Sequence, residues 1–304
     1  MGEPVITVHN LKKSYGKFLA VDNADFEVQR GEIFGLLGPN GAGKTTTLEC
    51  LEGLRHPDSG NIRMMGIDPV VNIRGLRNTI GVQLQTSGLP ASMTVGEAIR
   101  FFCAYHGVAP KYDLIDRLGL KEKTRAQYHT LSTGLQRRLA LALALAHQPP
   151  IVIMDEPTAG LDVPSRVELH EMMSELREKG ITILLATHDM AEAEKMADRV
   201  AILLKGKIAM IGTPRELTAA GSALTKVTVS TTKSSLLAQG LTLPSTQRQS
   251  VQDEYLICLS SNIGLTLRAI LNHLEEHGDT IADLRVERPS LEERFLEITS
   301  EQAR

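Results

Sequence analysis

The sequence predicts an α/β fold: a mostly parallel, doubly wound sheet carrying a helical insertion, followed by a small C-terminal α+β domain. Three observations lead there. Short apolar runs at Ile33–Leu37, Ile151–Met154, Ile181–Ala186 and Val200–Leu204 alternate with helical segments, the pattern of a parallel sheet covered on both faces. Residues 95–147 then change character, because Val95–Tyr105, Leu114–Leu118 and Gln136–His147 all show helical spacing. A second shift near Ala219–Ser222 opens a stretch with strands and helices of its own.

Taken in order, Val5–His9 and Ala24–Val28 read as strands from their alternating and β-branched residues. Ile33–Leu37 reads as a buried strand ending in Gly38, and Lys44–Leu54 as the helix after it. Asn61–Met65 and Thr79–Leu84 are further strands. After the helical insertion, Pro164–Lys179 and Met190–Met196 read as helices between the apolar strands. Pro164 suits a first helical turn, which has no use for its missing N–H. Beyond residue 222, Lys226–Ser230, Tyr255–Leu259 and Ile281–Glu287 read as strands, and Leu265–His277 and Leu291–Thr299 as helices. Polar Gln239–Val251 reads as a loop. The expected domains are 1–219, with a helical subdomain at about 95–147, and 222–304.

A chain of 304 residues is long enough for two domains. The net charge of -3 argues against a protein that coats nucleic acid, so no nucleic-acid partner is expected. Cys50, Cys103 and Cys258 lie far apart with no CxxC pair, and read as reduced packing residues in a cytosolic setting. Met1–Pro4 shows no secretion signal, and Ile6 stands where a myristoylation motif needs Ser or Thr. The longest apolar runs, Leu139–Ala146 and Ile181–Ala186, fall far short of the roughly 20 residues of a membrane span. Work at a membrane would therefore require docking on another protein.

Gly38-Pro39-Asn40-Gly41-Ala42-Gly43-Lys44-Thr45 fits the phosphate-loop pattern GxxxxGK[ST] at every required position. Its glycines let several backbone N–H groups turn into one concavity, and the following helix adds its positive end. Lys44 can reach the β and γ phosphates of ATP, and the Thr45 hydroxyl can ligate Mg²⁺. Ile151–Glu156 is an apolar strand ending in two carboxylates. Asp155 stands at the strand's C-terminal edge, where open α/β sheets place ligand groups, and can hold Mg²⁺ through water. Glu156 can act as a general base on an attacking water.

Between these motifs, Leu131-Ser132-Thr133-Gly134-Leu135-Gln136 resembles the LSGGQ signature of ABC ATPases. Pro157–Asp162 looks like the D-loop of that family, His188 like its switch histidine, and Tyr15 like the aromatic that stacks on adenine. Gln85 looks like its Q-loop glutamine. Gln83 competes for that role, but the family's glutamine follows Ile80-Gly81 at the spacing of Gln85. The motifs stand in family order across residues 5–215.

The resemblance implies a P-loop ATPase core with a helical subdomain and an N-terminal antiparallel β part. It implies a head-to-tail homodimer with two ATP molecules between the subunits. Each ATP would touch the phosphate loop, Thr46 and Gln85 of one subunit and Ser132 and Gly134 of the other, with Asp162 nearby. Gln85 would join Thr45 and Asp155 around Mg²⁺. Glu156 would orient water and His188 would contact the γ-phosphate. Gln85 and the helical insertion would pass the motion to a membrane subunit.

Two departures stand out. Leu135 replaces the signature glutamine, and Thr133 replaces a glycine, where its branched side chain is expected to restrict the backbone. Glu287–Leu296 resembles the P-S-L-E-x-x-F-L ending of ATPases of ABC-2-type exporters, including the daunorubicin-resistance group, and Arg137-Arg138-Leu139 is similar to that group too. This implies export through a separate integral membrane permease, with the chain cytoplasmic and peripheral on the inner face of the cell membrane. The alternative is a non-transport ABC ATPase acting as a regulatory or nucleic-acid-associated module. Against it, residues 95–130 are too short for the coiled coil of chromosome-acting relatives. The chain also has one phosphate loop, where ribosome-associated relatives have two.

Overall fold

A computed structural model describes residues 3–84, 88–110, 112–219, 224–237, 241–287 and 290–301. The chain divides into two compact units, 1–214 and 215–304.

The first unit opens with β1 (Pro4–Tyr15) and β2 (Phe18–Gln29), then β3 (Ile33–Leu37), α1 (Lys44–Leu51) and β4 (Ser59–Met64). It continues with α2 (Ile73–Thr79), β5 (Ile80–Gln83), α3 (Val95–Tyr105), α4 (Tyr112–Arg117) and α5 (Thr133–Ala144). It closes with β6 (Ile151–Asp155), α6 (Val163–Glu178), β7 (Thr182–Thr187), α7 (Met190–Met196), β8 (Arg199–Leu204) and β9 (Lys207–Gly212). The central sheet has the order β5-β6-β7-β3-β8-β9. Its strands are parallel except for β9, which runs antiparallel to β8. A separate antiparallel sheet, β2-β1-β4, forms the N-terminal part.

The α/β fold expected from the sequence, with its helical subdomain and antiparallel N-terminal part, is the fold found. β3, β6 and β7 are buried at every residue, which is why they read as unbroken apolar runs rather than alternating ones. One core of buried side chains joins the two sheets, drawing Ile6 and Val8 from β1, Leu48 and Leu51 from α1, and Ile153 and Leu184 from the central sheet. The sheets are also tied by polar bonds: Asp22 donates its N–H to Gly206 O at 2.8 Å, and its carboxylate meets Lys207 Nζ at 3.1 Å.

Several boundaries differ from expectation. β1 and β2 run much further, because register shifts in their pairing break the two-residue period. Thr79 closes α2 rather than opening a strand. The antiparallel strand β9 lies at the sheet edge with mostly half-exposed residues, and its apolar run is only the four residues Ile208–Ile211. Among the described residues, no helix is long and apolar enough to cross a membrane.

The second unit takes in most of α8 (Pro214–Ala219), then β10 (Thr225–Thr231), β11 (Thr246–Gln252), β12 (Tyr255–Ser260), α9 (Ile263–His277), β13 (Ile281–Glu287) and α10 (Leu291–Glu301). Its antiparallel sheet has the order β11-β12-β10-β13. Val227, Val229, Leu256 and Cys258 from the sheet pack with Ile270 and Leu274 from α9. The expected loop at Gln239–Val251 is corrected here, because β11 occupies its second half. β11 reads Thr-Gln-Arg-Gln-Ser-Val-Gln and is largely exposed, so neither face needs apolar residues. The boundary residues 220–222, and Arg288 and Pro289 of the tail motif, lie outside the described residues.

Candidate functional site

Three parallel strands end side by side at one edge of the central sheet. β3 leads into the phosphate loop, β6 delivers Asp155 and Glu156, and β7 delivers Thr187 and His188. The loop turns at Gly41 (φ 80°) and Gly43 (φ 107°), left-handed conformations open to glycine. Gly43 has a second reason to be glycine: a β-carbon there would stand 2.3 Å from Ala20 O. Gly43 caps α1 without a side-chain hydrogen bond, which leaves the helix N-terminus to an anion.

Lys44 is buried, and its ammonium donates to Gly38 O at 2.7 Å and Pro39 O at 3.3 Å. It also lies 3.4 Å from Glu156 Oε1. The other Glu156 oxygen meets His188 Nδ1 at 2.6 Å. Glu156 has φ 49°, a conformation uncommon for a residue with a side chain, and one that clusters at functional sites. Thr45 Oγ1 donates to Asp155 Oδ2 at 3.1 Å.

Burial pushes the Asp155 carboxyl above its ordinary pKa; the Thr45 hydrogen bond opposes this and the Glu156 charge adds to it. Asp155 Oδ1 is buried without a hydrogen-bond partner among the described residues. A hydroxyl beside a carboxylate with an orphaned oxygen suits Mg²⁺, which takes few protein ligands and fills its shell with phosphate and water. No group of three or more His, Cys, Asp or Glu side chains forms a metal cage among the described residues.

A cleft at this edge is lined by Asn40, Gly41, Gly43, Lys44, Thr45, Thr46 and Glu156, with Phe18 and Ala20 as its far wall. Tyr15, the aromatic expected to stack on adenine, is not among the lining residues. Its ring lies 5.8 Å from Lys13 Nζ and 5.8 Å from the Arg55 guanidinium. Phe18, its cross-strand partner, does line the cleft. The turn Gly16-Lys17 is the signal for this, because a two-residue turn pairs Tyr15 with Phe18.

This chain matches the ABC transporter family over residues 21–159. It is 33% identical to the linearmycin resistance ATP-binding protein LnrL of Bacillus subtilis, over 97% of this chain and 98% of that one. The chain belongs to the ATP-binding proteins of ABC transporters. This ABC protein is also 34% identical to the Nod factor export ATP-binding protein I of Ralstonia nicotianae, over 99% of this chain and 95% of that one. Among solved structures it is similar to an ATP-binding subunit of an ABC transporter (TM-score 0.66, 30% identity, 70% of this chain and 91% of that one). It is also similar to a bacterial ABC transporter cassette solved as a dimer (TM-score 0.63, 26% identity, 68% and 98%).

The signature residues of this ABC protein lie apart from the cleft lining. Ser132 caps α5 and accepts from Leu135 N at 3.3 Å, and Gly134 follows in the first turn. A β-carbon at Gly134 would stand 2.7 Å from Ser165 Oγ, so α5 and α6 meet closely there. Asp162 caps α6, accepting from Ser165 N at 3.0 Å. Arg137 Nη1 donates to Leu84 O at 3.3 Å, which ties α5 to the chain just before Gln85. Gln85 itself lies outside the described residues, whereas Gln83 is fully buried in β5.

At position 133 the backbone of this chain adopts a helical conformation that does not call for glycine. Thr133 is the first residue of α5, is exposed, and has no left-handed φ. Thr133→Gly is therefore expected to leave ATPase activity unchanged or raised, within about threefold, since it removes only ~0.4 kcal/mol of helix propensity. A loss beyond about tenfold, ~1.4 kcal/mol in the barrier, would give Thr133 a contact of its own.

Glu52, which the sequence reading passed over, caps the far end of α1 and is buried, with Oε2 lacking a hydrogen-bond partner among the described residues. Its signal is helical spacing, since it falls four residues after buried Leu48. Burial pushes its carboxyl from 4.5 up to about 7, and the charges of Asp155 and Glu49 add to this. The folded chain then keeps a proton that the unfolded chain has released, so stability falls as pH rises from 4.5 to about 7. Glu52→Gln removes that slope. By thermal melting it should match the parent below about pH 4 and exceed it above about pH 8, by at most ~3 kcal/mol.

Proposed function

We propose that this protein hydrolyses ATP as one half of a head-to-tail homodimer and drives export through a separate ABC-2-type integral membrane permease, on the cytoplasmic side of the membrane. The observation that carries the hydrolytic reading is the linked set Lys44–Glu156–His188 beside Thr45–Asp155, at the end of the phosphate loop. The export reading rests on likeness along nearly the whole chain to a resistance and an export ATP-binding protein.

In this reading the loop N–H groups and Lys44 hold the β and γ phosphates. Glu156 accepts the proton of the attacking water, and its bond to His188 Nδ1 fixes which oxygen faces that water. His188, half-exposed, also turns toward the γ-phosphate. Mg²⁺, held by Thr45, Gln85 and, through water, Asp155, would offset phosphate charge as the transferred group leaves. Phe18 and Tyr15 offer aromatic faces at the nucleoside end.

Ser132 and Gly134, absent from the cleft lining of their own chain, would reach the γ-phosphate of the ATP held by the other subunit. Neither subunit alone has a full set of contacts, so ATP joins the two. Hydrolysis breaks those contacts and lets the pair open, and the Arg137–Leu84 bond gives the segment around Gln85 a link to α5.

Tagged protein recovered from native membranes should carry a polytopic membrane protein with it and show Mg²⁺-dependent ATP hydrolysis. Recovery with ribosomes or DNA, and without a membrane protein, would overturn the export reading.

A further inference from the structure

The sheet of the second unit ends in two different edges. β11 presents a nearly all-polar strand, as edges that avoid pairing commonly do. β13, at the other edge, has neither proline nor lysine. Among the described residues no further strand pairs with its outer side.

The core beneath α9 is also open at this end. Val227 and Val229 of β10 are fully buried, whereas their cross-strand partners Val286 and Leu284 on β13 are 44% and 38% exposed. These two residues continue the apolar row of the core past the point where it is covered.

We propose that β13 is an interface for a second copy of this chain, pairing antiparallel with its own counterpart about a two-fold axis through Leu284. The two four-stranded sheets then become one sheet of eight, with both α9 helices on the same face.

The register follows from the residues. Opposed residues of an antiparallel pair share a face, so a two-fold axis normal to the sheet must pass through a residue rather than between two. Through Leu284, that residue meets its copy and Ala282 meets Val286 on both sides, which covers the open end of the core. On the opposite face Asp283 meets Arg285 twice, and opposite charges in direct register stabilise a sheet. Through Arg285, that arginine meets its copy and Asp283 meets Glu287. Through Asp283, two aspartates meet. Of these three registers, only the one through Leu284 satisfies both faces.

The charged pair is already arranged within one chain. Arg285 Nη2 lies 2.9 Å from Asp283 Oδ2, Tyr255 donates its hydroxyl to Asp283, and the Arg285 guanidinium lies over the Tyr255 ring. The pairing needs no nucleotide and does not rest on the ATP-dependent dimer proposed above.

The test uses the full chain carrying Leu284→Cys in a Lys44→Ala background, without nucleotide, so that failure of the ATP reading leaves the result intact. Cys50, Cys103 and Cys258 are all buried and should stay silent to a mild oxidant. Most of the chain should cross-link as a disulfide dimer at residue 284, while Val251→Cys on β11 should not. Adding Asp283→Arg or Arg285→Asp alone should reduce the cross-link to the Val251→Cys level, and the two exchanges together should restore it. The proposal is overturned if Leu284→Cys cross-links no better than Val251→Cys, if a single charge reversal has no effect, or if the double exchange fails to rescue. A strand of some other protein seated on β13 would give the first of these results.

Discussion

Lys44→Ala is expected to weaken ATP binding by several orders of magnitude. The ammonium is buried, and two loop carbonyls at 2.7 and 3.3 Å aim it at the cleft. Charge-assisted hydrogen bonds of this kind contribute about 1.5–3 kcal/mol each, so losing contacts to two phosphates costs about 3–6 kcal/mol. That corresponds to an affinity loss of roughly 10² to 10⁴-fold. The substitution also leaves Glu156, 3.4 Å away in the parent, facing the phosphates without the cation between them. Isothermal titration checks the result, with a melting curve to show that the variant is folded. Unchanged affinity in a folded variant would remove Lys44 from the site.

Glu156→Gln is expected to keep ATP binding and lose turnover by about 10² to 10⁴-fold, the usual range for a positioned base. The amide has nearly the shape of the carboxylate and its oxygen can still face Lys44 or His188, but it accepts no proton from water at neutral pH. With hydrolysis blocked, ATP should hold the subunits together, and size exclusion should show a stable dimer with Mg²⁺-ATP that falls apart with ADP. Turnover at the parent rate would assign the base elsewhere, and a monomer in ATP would count against the head-to-tail pair.

The parts of this molecule that chemistry constrains locally were the parts the sequence made legible. A phosphate loop must place glycines, lysine and threonine on consecutive residues, so Gly38–Thr45 is readable without neighbours. β3, β6 and β7 are buried on both faces, which leaves an apolar signature no loop shares. β11 escaped because an exposed edge strand needs no alternation, and β9 because its apolar run of four residues, Ile208–Ile211, is short and does not alternate. Glu52 and Phe18 escaped for another reason. The burial of Glu52 comes from the fold around α1, and Phe18 enters the cleft because one sheet leans on another. Both facts depend on residues far away in the chain.

That leaning arrangement divides the labour of recognition. The phosphate end of the cleft belongs to the six-stranded sheet, whereas Phe18 and Ala20 belong to the three-stranded one, met backbone to backbone where Ala20 O approaches Gly43. In the proposed reading, a change at Phe18 on the β1–β2 hairpin would alter stacking at the nucleoside end and leave Lys44 and Thr45 on the other sheet in place. Gly43 is the exception, because a β-carbon there would run into Ala20 O of the neighbouring sheet.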